Sequence, residues 1–125
     1  MPTFNKTVGL PQRSIVNLKQ IQRASRSLTV IPQDPPAGRY LVESATYPGQ
    51  LYAVSLDQSS LTGSCTCPWA QHGGINCKHV LAALREHYYA QQGTLLSFWR
   101  TRSDARRQHC RLVQGEQIYA TMRVR

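Results

Sequence analysis

The chain has 125 residues and carries 15 Lys and Arg against 6 Asp and Glu, for a formal net charge of +9. That length is one domain's worth, and its apolar residues fall in runs of only a few, so no segment can span a bilayer as a helix. A balance this basic points to a polyanionic partner, nucleic acid ahead of an anionic membrane surface; 12 of the 15 cations are Arg, whose planar fork matches phosphate and stacks on bases.

Residues 1–38 are expected to form a basic arm, a helix and a Pro-rich connector. Ser14 is a candidate N-cap for a helix of about Ile15 to Leu28. Leu18, Ile21 and Leu28 recur at helical spacing, while Lys19, Arg23 and Arg26 recur at i, i+4, i+7 on roughly the opposite side. That basic stripe reads as a solvated face ahead of a phosphate-contacting one. Thr29 to Gly38 holds Pro32, Pro35 and Pro36 and is expected to be a connector.

Residues 39–92 are expected to be the central unit. Arg39 to Tyr47 and Leu51 to Asp57 are rich in β-formers and predict two strands. Tyr47-Pro48-Gly49-Gln50 between them predicts a type II turn, with Pro presetting φ and Gly supplying a positive φ. Gln58 to Ser64 is expected to be a loop. Val80, Leu81, Leu84 and Tyr88 then fall on one stripe of a helix from about Lys78 to Gln91, ended by Gly93.

Residues 93–125 are expected to be an Arg-rich tail. Leu95 to Trp99 is a short apolar patch, and Thr101 to Gln108 predicts a polar helix capped by Ser103. His109 to Val113 and Gln117 to Val124 predict a hairpin turning at Gln114-Gly115. On the second strand Ile118, Ala120, Met122 and Val124 alternate with Tyr119, Thr121, Arg123 and Arg125. The latter set would form an outer face that Arg111 joins, with Cys110 and Leu112 pointing the other way. That face is either an ordinary polar edge or a nucleic-acid surface.

The charge is unevenly placed. Residues 1–38 hold +4, residues 39–92 are neutral, and residues 93–125 hold +5. The most informative feature lies in the neutral middle: Cys65-Thr66-Cys67-Pro68, a nine-residue loop counted from Cys67, then Cys77-Lys78-His79, or C-x-C-x9-C-x-H. Thiolate and imidazole are the usual donors of zinc. Two Cys one residue apart in extended chain point to the same side. Cys77 and His79 fall at the start of the predicted helix, where free N–H groups favour a thiolate. The N-terminus has no apolar stretch of the secretory type, so the thiols are expected to be reduced rather than disulfide-bonded.

C-x-C-P, a short loop and then C-K-H-V-L-A resembles the SWIM zinc finger, a ββα module, from about residue 39 to 90. The resemblance implies one structural zinc on Cys65, Cys67, Cys77 and His79, and a helix that packs on the preceding hairpin. It also implies a DNA-binding or protein-interaction role rather than catalysis. The fold class expected is α+β: a small zinc-stabilised ββα core with an N-terminal helix and a C-terminal β-hairpin. His72 lies in the zinc loop as a surplus donor, His87 is expected to be a surface or packed residue, and Cys110 a small buried one.

Function is expected to be nucleic-acid binding, DNA ahead of RNA, with phosphate contacts from Lys19, Arg23 and Arg26 and from Arg100, Arg102, Arg106, Arg107, Arg111, Tyr119, Arg123 and Arg125. The alternative is a small adaptor that docks a larger protein or nucleoprotein complex. Trp69, Trp99 and Tyr119 are the aromatic side chains available for stacking, with core packing the competing use of each Trp. Six scattered carboxylates, and Cys and His residues committed to metal, leave no catalytic pair, so no enzyme activity and no small-molecule substrate are expected. The expected location is the cytoplasm, or the nucleus of a eukaryote, with neither secretion nor membrane attachment.

Overall fold

The structure is a computed structural model that describes residues 18–57, 61–68, 77–115 and 118–124. Ser14, Trp69, His72 and Arg125 lie outside the described residues. In chain order the elements are α1 (Leu18–Ser25), β1 (Val30–Asp34), a 3-10 turn (Pro35–Ala37), β2 (Arg39–Glu43), β3 (Leu51–Asp57), β4 (Thr62–Cys65) and α2 (Lys78–Gln92). These are followed by β5 (Thr94–Trp99), α3 (Arg102–Arg106), β6 (Arg111–Gln114) and β7 (Tyr119–Val124). The fold is α+β, with a four-stranded antiparallel sheet in the order β1-β2-β3-β4 and a three-stranded one in the order β5-β7-β6.

Helix α1 ends at Ser25 rather than Leu28. The Ser25 hydroxyl donates back to Gln22 O at 2.6 Å, and the next three amides bond i−3 rather than i−4, so the chain tightens into a turn. The Pro-rich connector is a strand over half of its length, Val30–Asp34. Pro32 has no N–H to give, but β1 is an outer strand paired to β2 alone, and the ladder slips between Pro32 and Asp34.

Strand β2 stops at Glu43, four residues short of the expectation. The Ser44 hydroxyl accepts from the amides of Thr46 and Tyr47 at 3.2 and 3.0 Å, which pulls the backbone out of the ladder. The Tyr47–Gln50 turn forms as expected, with Gly49 at φ 91° and Gln50 N donating to Tyr47 O at 3.0 Å. Strand β3 has the bounds read from sequence. The expected loop before the first cysteine contains a strand instead: β4 pairs antiparallel with β3 and sets Cys65 opposite Val54.

Helix α2 runs one residue beyond the expected end. Gly93 closes it at φ 65°, its amide donating to Tyr89 O at 2.9 Å. Its burial is wider than one stripe: His79, Val80, Leu81, Ala82, Ala83 and Leu84 are all buried. The reason is position, because α2 packs on the first sheet on one side and on α1 and β5 on another. Buried residues of both sheets, among them Tyr40, Val42, Val54, Phe98, Ala120 and Met122, join Leu81 and Leu84 in a single core.

The tail departs most from expectation. The hairpin β6–β7 is present, but the apolar patch 95–99 is itself part of β5, which pairs with β7 and makes β7 the central strand. Thr101, not Ser103, caps α3: its hydroxyl accepts from Asp104 N at 3.1 Å. Register also moves Arg111. It stands opposite Met122, on the side of the core-facing Ala120 and Met122, while Leu112 stands opposite Thr121 on the outer side. His109, at φ 54°, begins this change by turning the chain before β6.

Candidate functional site

Cys65, Cys67, Cys77 and His79 come together although Cys65 ends a strand, Cys67 follows it, and the other two begin a helix. The antiparallel register of β3 and β4 delivers Cys65, and the two-residue spacing delivers Cys67 to the same side. Thr66, between them, is exposed and tied back to β3, with Ala53 N donating to its hydroxyl at 3.0 Å and its own amide donating to Ala53 O at 3.2 Å. Cys77 holds the N-cap position of α2, with φ −60° and ψ 170°, and His79 lies in the first turn.

One donor atom from each of the four residues lies within 4.8 Å of the others, and relative exposures are 8% for Cys65, 2% for Cys67, 2% for Cys77 and 5% for His79. His79 Nδ1 lies 3.7 Å from Cys77 Sγ. Tetrahedral zinc with ordinary Zn–S and Zn–N bonds separates two such donors by about 3.5 Å. His79 Nε2 is buried with no hydrogen-bond partner among the described residues, and the Tyr52 ring packs at 4.7 Å between centroids. Nδ1, turned to the Cys77 sulfur, is the ring nitrogen placed to coordinate a metal.

The thiols tell the same story. Contact with the Cys67 thiol, with burial adding to it, pushes Cys65 up to about 11. Contacts with Cys65 and Cys67, and then burial, push Cys77 up strongly as well. Three sulfurs crowded in a dry site resist sharing negative charge, whereas a divalent cation at their centre deprotonates them outright. The amide of Cys67 donates to Cys65 Sγ at 3.4 Å, a bond that favours the thiolate. The donor set fits zinc: three thiolates and a neutral imidazole fill a tetrahedron and leave a local charge of about −1.

The SWIM zinc finger family model matches residues 52–88. This segment is a SWIM zinc finger. No curated protein and no solved structure matches the chain. The matched segment starts inside β3, so β1, β2, α1 and the whole second sheet lie outside it. The SWIM finger holds one structural zinc through the four residues named from the sequence. Helix α1 lies alongside it, with Gln20, Ile21 and Ala24 lining a cavity of about 320 Å³ that reaches Cys67, Cys77 and His79.

Outside the SWIM finger the basic residues divide into engaged and unengaged ones. Lys19 is engaged: Nζ donates to Phe98 O at 3.3 Å and sits 3.5 Å from the centroid of the Trp99 ring. Arg107 pairs with Asp104 at 2.6 Å, and Arg102 donates to Gln114 Oε1 at 3.2 Å. Arg23, Arg26, Arg100, Arg106, Arg111 and Arg123 are exposed, and none of them has an ion pair or hydrogen bond through its side chain among the described residues. Tyr119 is half-buried between Trp99 and Gln114 on the outer side of the second sheet. Trp99 donates through Nε1 to Thr121 Oγ1 at 3.0 Å.

Three contacts escaped the sequence. His87, expected only as a packed or surface residue, is 4% exposed and hydrogen-bonds through Nδ1 to the Tyr40 hydroxyl at 2.7 Å. Buried Gln22 accepts at Oε1 from Phe98 N at 2.7 Å and ties α1 to β5. Cys110 is half-buried rather than buried and lies beside Trp99, Thr121 and Arg123, its thiol donating to Gln108 O at 3.3 Å.

Proposed function

We propose that the chain is a nucleic-acid-binding protein in which the SWIM finger is the scaffold and cations outside it hold backbone phosphates. One observation carries this reading: exposed guanidiniums of α1, of the β5–α3 connection and of the second sheet stand unneutralised, while Arg107–Asp104 is the one ion pair among the described residues. Side-chain charge of this kind is stabilised by polyanions and by counterion release. The closed four-donor zinc leaves no open coordination position, so the metal serves the fold and the chain acts by binding. A reduced compartment, cytoplasm or nucleus, suits three zinc-bound thiolates; no helix among the described residues is long and apolar enough to cross a membrane.

An adaptor role is the second reading, supported by the outer face of the first sheet. Ile31 and Leu51 are 40% and 43% exposed there and share the face with Leu41 and Ala53. The two readings are separated by fluorescence anisotropy on 30-nucleotide single- and double-stranded DNA and RNA between 50 and 200 mM salt. Six to ten phosphate contacts would lower affinity by about 10³–10⁵ across that range. Absence of salt-dependent binding to every probe overturns the nucleic-acid reading and leaves the adaptor.

A further inference from the structure

Between the end of α1, the outer turn of α2 and the start of β5 lies a cleft of about 390 Å³. Its lining includes Arg26, Arg85, Glu86 and Tyr89, with Leu28 and Leu95 as apolar walls. Arg85 lies inside the SWIM finger, in the segment of the chain that is neutral overall, and nothing in its spacing marks it as a contact residue. It is half-buried, and neither its side chain nor that of Arg26 has a hydrogen bond or ion pair among the described residues. Half-burying a guanidinium without a partner is costly, and facing it with a second one raises the cost.

Burial and then the charge of Arg26 pull Arg85 below its ordinary value, with Glu86 pulling the other way. Two guanidiniums and one carboxylate leave the cleft at +1. A phosphodiester, with a single negative charge, neutralises that. A terminal phosphate, with nearly two, would leave a negative surplus beside Glu86. Arg forks suit the paired oxygens of a phosphate. Tyr89, 38% exposed on the rim, offers an aromatic surface one nucleotide away.

We infer that Arg26 and Arg85 clamp one backbone phosphodiester of a nucleic-acid strand in this cleft. The inference rests on the nucleic-acid reading for its occupant, while the cleft's affinity for phosphate can be tested without it. The experiment compares wild type with Arg26→Gln, Arg85→Gln and Arg85→Lys. Binding of a 5′-labelled single-stranded 20-mer is measured over salt, and dimethyl phosphate is titrated while the Arg Nε–H resonances are followed by NMR. Circular dichroism confirms that each variant is folded, and the exposed Arg26 keeps the test open if Arg85→Gln is not.

Each Gln variant is expected to weaken strand binding about tenfold and to lower the salt slope by about one, with Arg85→Lys between it and wild type. Dimethyl phosphate is expected to move the Arg26 and Arg85 resonances in wild type alone. Strand binding that survives both Gln changes overturns the clamp and leaves nucleic-acid binding standing. Wild type that binds no strand, yet shows the phosphate-dependent shifts, overturns the nucleic-acid reading and keeps the cleft as a phosphodiester site. Neither response overturns both.

Discussion

Removing zinc is the perturbation that tests the architecture most directly. All four ligands are at least nine-tenths buried, and Cys65, Cys67 and Cys77 belong to the same packed core as Val54, Leu61, Val80 and Leu81. Structural zinc sites supply an apparent 10–16 kcal/mol, about as much as the whole net stability of a small domain, roughly 5–15 kcal/mol. Chelation therefore removes enough free energy to unfold the finger. The loss is expected to spread further, because Leu96, Phe98 and Met122 of the second sheet pack into the core that α2 organises. One cooperative transition should appear when far-UV circular dichroism and amide exchange are followed against zinc release under reducing conditions. Cys77→Ser, which removes the ligand at the helix cap, should give the same result without chelator. Amides of β5 and β7 that stay protected after stoichiometric zinc release would refute the reasoning, since they would show two independent cores.

Two further expectations concern the buried polar contacts. Burial lowers the pKa of His87 below the ordinary 6.5, so the native state favours the neutral ring, hydrogen-bonded through Nδ1 to the Tyr40 hydroxyl. Its contribution to stability is complete above about pH 6.5 and is lost as pH falls through the lower folded value; with zinc in excess, denaturant titrations of wild type should show an acid-side loss that His87→Gln reduces, and equal slopes would contradict this. Gln22→Ala leaves the buried amide of Phe98 without its acceptor and should cost about 1–3 kcal/mol, read as a lower denaturation midpoint at unchanged m-value; an unchanged midpoint would show that water replaces the bond.

The metal site was legible because its signal is local. Ligand types and spacing within 15 residues name the four donors, and proximity in sequence nearly ensures proximity in space. The helix that follows and the turn at Pro48-Gly49 were legible for the same reason. Pairing partners were not. Pro32 argued against a strand, and only the outer position of β1 makes the missing N–H harmless. The patch 95–99 gave no alternation strong enough to mark a strand, because β5 acquires its identity from the register with β7.

Composition and spacing by themselves determined that this is a basic chain built around a four-donor zinc site, with its positive charge outside the finger. Both are properties of residue identity and of short separations along the chain. Tertiary structure decided which cations remain available. It turned Lys19 inward onto Phe98 and Trp99, and brought Arg85 of the neutral middle beside Arg26 of the basic arm. Those outcomes depend on which helix packs against which sheet and in what register, quantities set by contacts between residues many tens of positions apart.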